Sequence, residues 1–276
     1  MTPEDMEFLA GVVKPRSGLV LTREKGYLVE SRLGPVARRE GCGSVAELVT
    51  ALRTRREERL ATAVTDALTN NETSFFRDRA PFEQFRDEVL PALAAARAGG
   101  VVRVWSAGCS TGQEPYSLAM LAEELSGELP ELKLDIVATD LSPRCLEIAQ
   151  AGLYNQFEVQ RGLPIRLLLK YFTKQDDNWR LSARLRRAVQ FRPANLLVET
   201  GALGRFDVIL CRNVLSGFDR STQAAVLERL GRQLSPDGVL LLGASESASG
   251  LSDALEPVPD RPGYYFKAAA RRAAAA

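Results

Sequence analysis

VVRVWSAGCSTGQEPYSLAM, residues 101–120, is an apolar run that breaks into a Gly/Ser/Thr loop and then resumes as an amphipathic helix. That order predicts a strand, a ligand loop and a helix. Gly108 and Gly112 remove Cβ atoms where a backbone must approach a small polar ligand, and the helix that follows offers unpaired N–H groups. Downstream, LKLDIVATDLS (132–142) is a second β-rich run closing on Asp140. In open parallel sheets ligands sit beyond the carboxyl ends of strands, where an acid can accept hydrogen bonds from ribose hydroxyls. Loop and acid together predict a nucleoside cofactor. A strict G-x-G-x-x-G is absent, and the interval to Asp140 exceeds the ~20 residues of a compact NAD fingerprint, which disfavours a dinucleotide. The lack of GxxxxGK[ST] disfavours ATP.

Working outward, strands are predicted at Val101–Ser106, Leu134–Thr139, Phe206–Cys211 and Val239–Gly243, with helical stretches between them, the alternation of a parallel sheet with right-handed crossovers. Pro236-Asp237-Gly238 supplies a turn before the last strand. The first part of the chain reads as helices. Thr2 caps one with Pro3 at its first position, and Ser44-Val45-Ala46-Glu47 has the form of a capping box. Val45, Leu48, Val49 and Leu52 mark one buried helical face. The opposite face is basic: Arg53, Arg55, Arg56 and Arg59, tempered by Glu57 and Glu58, read as a solvated surface with local ion pairs. Thr69–Asp78 joins the parts, and Pro81–Arg97 reads as a helix ending at Gly99-Gly100. Between Leu163 and Asn195, Trp179-Arg180-Leu181 and Val189-Gln190-Phe191-Arg192 each alternate like exposed strands. KAAARRAAAA after Phe266 is low complexity.

Composition narrows the function. The chain has 276 residues and a net charge of +1, so nothing draws it as a whole to nucleic acid, which is not an expected partner. Cys42, Cys109, Cys145 and Cys211 show no metal-ligand spacing and there is no histidine, so no metal is expected and reduced cytosolic thiols fit best. The acidic start MTPEDMEFLA is not an export signal, and no apolar run approaches the ~18 residues of a membrane span. A cytoplasmic protein without direct membrane insertion is expected.

Four segments carry a family resemblance: N-E-T-S-F-F-R (71–77), A-G-C-S-T-G-Q-E-P-Y-S (107–117), A-T-D-L-S (138–142) and F-D-V-I-L-C-R-N-V-L (206–215). In order and spacing the chain resembles the CheR family of chemotaxis receptor methyltransferases, over nearly its whole length to R-P-G-Y-Y-F-K (261–267). The resemblance implies an α/β fold: a doubly wound, mostly parallel sheet of the class I adenosylmethionine-dependent methyltransferase type, with an N-terminal helical domain and a small antiparallel β subdomain. It divides the chain into a helical domain and linker (1–78), a methyltransferase domain (79–267, its β subdomain at about 163–195) and a low-complexity tail (268–276). Because some family members carry helical repeats after the catalytic part, a longer gene product is left open.

The resemblance also implies the chemistry. S-adenosyl-L-methionine would be the cofactor and S-adenosyl-L-homocysteine the product, with glutamates on cytoplasmic helices of chemoreceptor-like proteins as substrate. A carboxylate is already ionised at neutral pH, so transfer needs no general base and the missing histidine is no obstacle. Residue by residue, Asn71, Thr73 and Arg77 match one cofactor-binding motif, Gly108 and Glu114 a second, Asp140 a third, and Asn195-Leu196 and Arg212-Asn213 two more. Arg77 is also the candidate catalytic residue, since a guanidinium can grip a carboxylate with two hydrogen bonds. Ser142, rather than Asp140, is the better cap for the helix near Pro143. In some members the β subdomain docks a receptor's terminal pentapeptide by strand addition. Here Thr173–Asn178 is short and lacks a glycine-containing insertion, which predicts tether-independent receptor binding. The family tyrosine of the N-V-x-Y-F run is Gly217, and the familiar G-H-S-E is Gly243-Ala244-Ser245-Glu246. Those departures leave a rival reading: a non-catalytic adenosylmethionine or adenosylhomocysteine sensor.

Overall fold

The strands β1 (Val101–Ala107), β2 (Lys133–Asp140), β6 (Val189–Pro193), β7 (Phe206–Cys211) and β8 (Leu234–Leu242) form the parallel part of a seven-stranded sheet. Between β2 and β6 the chain builds β3 (Leu153–Asn155), β4 (Phe172–Gln175) and β5 (Asn178–Leu181); β9 (Leu255–Pro257) and β10 (Tyr264–Lys267) end it. In this computed structural model, which describes residues 1–97 and 100–268, the sheet order is β6-β2-β1-β7-β8-β10-β9. Only β10 is reversed, pairing antiparallel with both β8 and β9. All six residues of β7 are buried, as expected of a strand covered on both faces. The order reverses between β1 and β7, where a doubly wound sheet opens its ligand crevice.

Three details differ from the sequence expectation. Pro236-Asp237-Gly238 lies inside β8 rather than before it: Phe206 pairs with Leu234 but Val208 with Val239, so these residues bulge out of register. The helix expected at 81–97 contains a wide turn, Phe85–Val89, in which Leu90 N–H reaches back five residues to Phe85 O. Pro91 has no N–H to continue the normal ladder. The helix ends at Ala96, where Arg97 N–H closes on Leu93 O, short of the expected Gly99, which lies outside the described residues, as does the tail after Ala268.

Val189–Pro193 requires a correction. It does not belong to the small antiparallel sheet but pairs in parallel with β2 at the edge of the main sheet. The small sheet is β3-β5-β4, and its first strand precedes Leu163. Alternating polarity marks a strand with one wet face, and an edge strand of the large sheet has one too. Thr173–Asn178 is a tight hairpin, with Asp176 at a φ of 53° in the turn.

The first 70 residues, with Ser216–Gln223, form a separate unit. Its helices are α1 (Pro3–Ser17), α2 (Gly26–Arg39), α3 (Val45–Arg55) and α4 (Glu58–Leu68), packed around Leu9, Val13, Leu33, Leu48 and Val64. Thr2 caps α1 in a full capping box. Ser44 caps α3, but the Glu47 carboxylate accepts Gly43 N–H instead of Ser44 N–H, so that expected box is only half made. The four arginines are not on one helix. Arg56 turns the corner between α3 and α4 at a φ of 50°, Arg53 lies over Phe8 and reaches Asp5, and Arg59 grips Glu40 with two hydrogen bonds.

Candidate active site

The second unit runs from Asn71 to Leu215 and resumes at Ala224. It sets six of the candidate residues at the carboxyl ends of four strands, with Glu114 on the helix after the first and Asn71, Thr73 and Arg77 on the segment that precedes it. Gly108 follows β1, Asp140 ends β2, Asn195-Leu196 follow β6, and Arg212-Asn213 follow β7. Gly108 stands at a φ of +79°, and a Cβ there would lie 2.5 Å from Val214 Cγ2, so only glycine fits. Gly112, at a φ of 93°, opens helix α7 (Gln113–Glu124).

Asp140 ties two loops together. Its Oδ2 accepts Ser110 N–H at 2.7 Å and its Oδ1 accepts Ser142 N–H at 2.9 Å. Ser142 caps α8 (Pro143–Ala151) by accepting Cys145 N–H. The carbonyl of Asp140 takes Ala194 N–H at 3.1 Å, which brings Asn195 alongside. Asn195 Oδ1 accepts Leu197 N–H at 3.0 Å in an Asx turn, and Leu196 O accepts from Arg229 at 3.4 Å.

Glu114 lies in the first turn of α7, where the helix amino terminus favours a negative charge, and it also makes direct contacts. Its carboxylate takes the Ser106 hydroxyl at 2.8 Å and Arg212 Nη1 at 3.1 Å, a buried pair on which both charges depend. The same guanidinium donates through Nη2 to Arg77 O at 2.9 Å and Asp78 Oδ2 at 2.8 Å. Arg212 thus pins the Asn71–Asp78 segment to the sheet edge.

Further anchors hold that segment. Ser110 Oγ donates to Asn71 O at 2.7 Å, Phe76 N–H donates to Ser117 Oγ at 2.9 Å, and Glu72 pairs with Arg161. Arg161 lowers the Glu72 carboxyl pKa, first through its hydrogen bond and then through its charge. Phe75 is fully buried, edge-on to Tyr154 and Phe172. Phe76, Asp78 and Arg79 all have positive φ, a strain that such anchoring sustains. Gly162, at a φ of +87°, lies so close to Phe75 O that a Cβ would collide with it.

Arg77 Nη1 donates to Glu72 O at 2.9 Å, and no carboxylate lies within ion-pair distance of Arg77 among the described residues. The Thr73 hydroxyl makes no hydrogen bond within the described residues. Asn213 is held at a φ of 61° by Glu246, whose Oε2 accepts both Asn213 N–H (2.7 Å) and Gly243 N–H (2.9 Å). The Asn213 Oδ1 atom is buried with no partner.

Sequence reasoning did not single out Ser106, Ser110, Ser117, Arg161 or Gly162, and noted Glu246 only as part of a motif. The serines lie within the quoted loop motif, so their position was visible, but their partners are 8 to 41 residues away.

A doubly wound sheet with a glycine loop after its first strand, an acid ending the second and an orphaned buried acceptor at the switch point has the form of a nucleoside-binding α/β protein. Residues 71–263 match the CheR methyltransferase SAM-binding domain, and residues 4–69 match the CheR methyltransferase all-alpha domain. The chain belongs to the CheR family of chemotaxis methyltransferases, and S-adenosylmethionine is its cofactor. It is 41% identical over 268 residues to chemotaxis protein methyltransferase 1 of Pseudomonas aeruginosa, covering 96% of this chain and 97% of that one. Chemotaxis protein methyltransferase 1 of Vibrio cholerae is 39% identical over 272 residues, 97% and 98% of the two chains. Cher2 of Pseudomonas putida is 38% identical over 268 residues, 96% and 98%. No helix among the described residues is long and apolar enough to cross a membrane.

Proposed function

We propose that the protein is a cytoplasmic protein-glutamate O-methyltransferase that esterifies glutamates on the cytoplasmic helices of chemoreceptor-like proteins. The observation that carries this reading is Arg77: a half-buried guanidinium on a rigidly anchored segment, spending one donor on a backbone carbonyl and paired with no carboxylate among the described residues. A substrate glutamate needs such a partner, because a charged nucleophile must be held and dried without being neutralised.

In this reading the ten residues divide the work. Asp140, at the carboxyl end of β2, accepts the ribose hydroxyls. Asn213 Oδ1, Asn195 and the Leu196 backbone meet other polar edges of the cofactor, and Gly108 lets the chain approach it. Glu114 and Arg212 hold Asn71, Thr73 and Arg77 over the cofactor. When bound, S-adenosylmethionine supplies a methyl group on a sulfonium, and the protein's part is alignment and exclusion of water. The helical unit of residues 1–70 is assigned to reading the substrate helix, with Arg55 and Arg56 as exposed cations. The Asp176-Asp177 hairpin fits binding without a tether.

The test is transfer of labelled methyl groups from S-adenosylmethionine to the cognate receptor's cytoplasmic fragment. Base-labile label on glutamates supports the reading. Tight cofactor binding with no transfer to that receptor replaces it with a cofactor sensor.

A further inference from the structure

Between Asn178 and Val198 the chain carries Arg180, Arg184, Arg186, Arg187 and Arg192 and no acidic residue, within a protein of net charge +1. Three of these side chains are engaged, one of them by an opposite charge. Arg184 pairs with Glu123 at 2.8 Å, Arg180 donates to Gln175 and Ala151 O, and Arg192 donates to Gln190. Arg186 and Arg187 are different. They line a cleft of about 320 Å³ together with Gln150, Val189 and Phe191, between the end of α8, the short helix Ala183–Arg187 and the edge strand β6. That volume reaches the ~300 Å³ at which small-ligand sites begin.

The walls of the cleft are pre-set. Arg186 Nε donates to Leu181 O at 3.2 Å, and the side-chain stem packs over Gly152, where a Cβ would come within 2.7 Å of Arg186 Cδ. This fixes the guanidinium while its terminal nitrogens, and the whole of Arg187, make no hydrogen bond or ion pair among the described residues. Phe191 is held edge-on by Tyr116, with centroids 5.5 Å apart, and Tyr116 is itself fixed by a 2.7 Å bond to Ala149 O. Two adjacent guanidiniums, one of them oriented, are suited to a phosphate. An aromatic wall with a neighbouring amide is suited to a flat heterocycle. The cleft is separate from the cofactor residues, which gather beyond the carboxyl ends of the strands.

We propose that this cleft binds a nucleoside monophosphate, with the phosphate on Arg186 and Arg187 and the base against Phe191 and Gln150. Tyr116 and Ala149 also pack on Gly112 of the cofactor loop, which gives the site a physical route to the active centre.

The test uses the intact chain with S-adenosylhomocysteine at saturation, so that the cofactor's nucleoside site is filled. Calorimetric titration with GMP or AMP should then reveal one additional site. Guanosine, adenosine and inorganic phosphate should each bind at least tenfold more weakly. Arg187→Ala, at an exposed position, and Arg186→Gln should each weaken the nucleotide tenfold or more while adenosylhomocysteine affinity stays unchanged, which also reports an intact fold. Absence of binding by both nucleotides, equal affinity for inorganic phosphate, or undiminished affinity in both variants would overturn the proposal.

Discussion

Arg212 and Asp78 are joined at 2.8 Å across 134 residues of sequence, and the same guanidinium meets the buried Glu114. The link makes the strained Asn71–Asp78 segment part of the sheet edge. Its members contribute unequally: the Asp78 side chain is 40% exposed and that of Arg212 is 1% exposed. Replacing Arg212 with Met leaves Glu114 as an uncompensated buried charge and should cost about 3–5 kcal/mol in urea unfolding. Asp78→Asn should cost under about 1 kcal/mol yet lower kcat/KM for methyl transfer several-fold, because the segment loses one anchor. Equal destabilisation by the two substitutions would contradict this division.

Arg77→Ala should abolish methyl transfer with little change in stability, since the side chain gives up only one hydrogen bond to Glu72 O, worth about 1 kcal/mol. The check pairs a single-turnover methylation assay with thermal unfolding. Retained turnover would move the carboxylate-binding role elsewhere.

Gly108→Ala combines a positive φ with a methyl group 2.5 Å from Val214 Cγ2. Adenosylhomocysteine affinity should fall at least tenfold by calorimetry. The double variant with Val214→Ala should recover only part of it, because truncating valine relieves the clash but not the backbone conformation.

Burial alone would raise the Glu124 carboxyl, but hydrogen bonds from Lys170, Tyr171 and Arg166 outweigh it and hold its pKa at about 2. The folded state therefore favours the ionised form. The stabilisation is complete above the unfolded-chain value of ~4.3 and is lost as pH falls through the folded value. Wild-type stability should drop more steeply than that of Glu124→Gln as the pH is lowered from about 4.3 toward 2. Parallel profiles would exclude Glu124 as the source.

Cys109, Cys145 and Cys211 are buried, and burial pushes the Cys109 and Cys211 thiols well above their ordinary value, whereas Cys42 is half-buried. A thiol reagent at pH 8 should label Cys42 rapidly and the other three only on unfolding. Cys42→Ser should remove the fast phase.

The sequence by itself determined the parts whose physics is local. Residues 101–120 became strand, loop and helix because apolar burial, glycine and a helix-forming run act over a few residues, and Phe206–Cys211 became a central strand because, Asp207 apart, it is apolar. Thr2 and Ser142 cap the helices they precede for the same reason. The family motifs named Gly108, Asp140, Asn213 and their companions, and the fold brings all of them to one sheet edge. Tertiary structure alone decided that Val189–Pro193 pairs with β2 rather than with the small sheet, since alternation records one wet face and not which neighbour covers the other. It also decided that Glu114 faces Ser106 and Arg212, that Ser117 holds Phe76, and that Glu246 sets Asn213. Those choices depend on which buried polar groups meet across long intervals of chain, and a buried donor or acceptor is fixed by the partner that three-dimensional packing delivers.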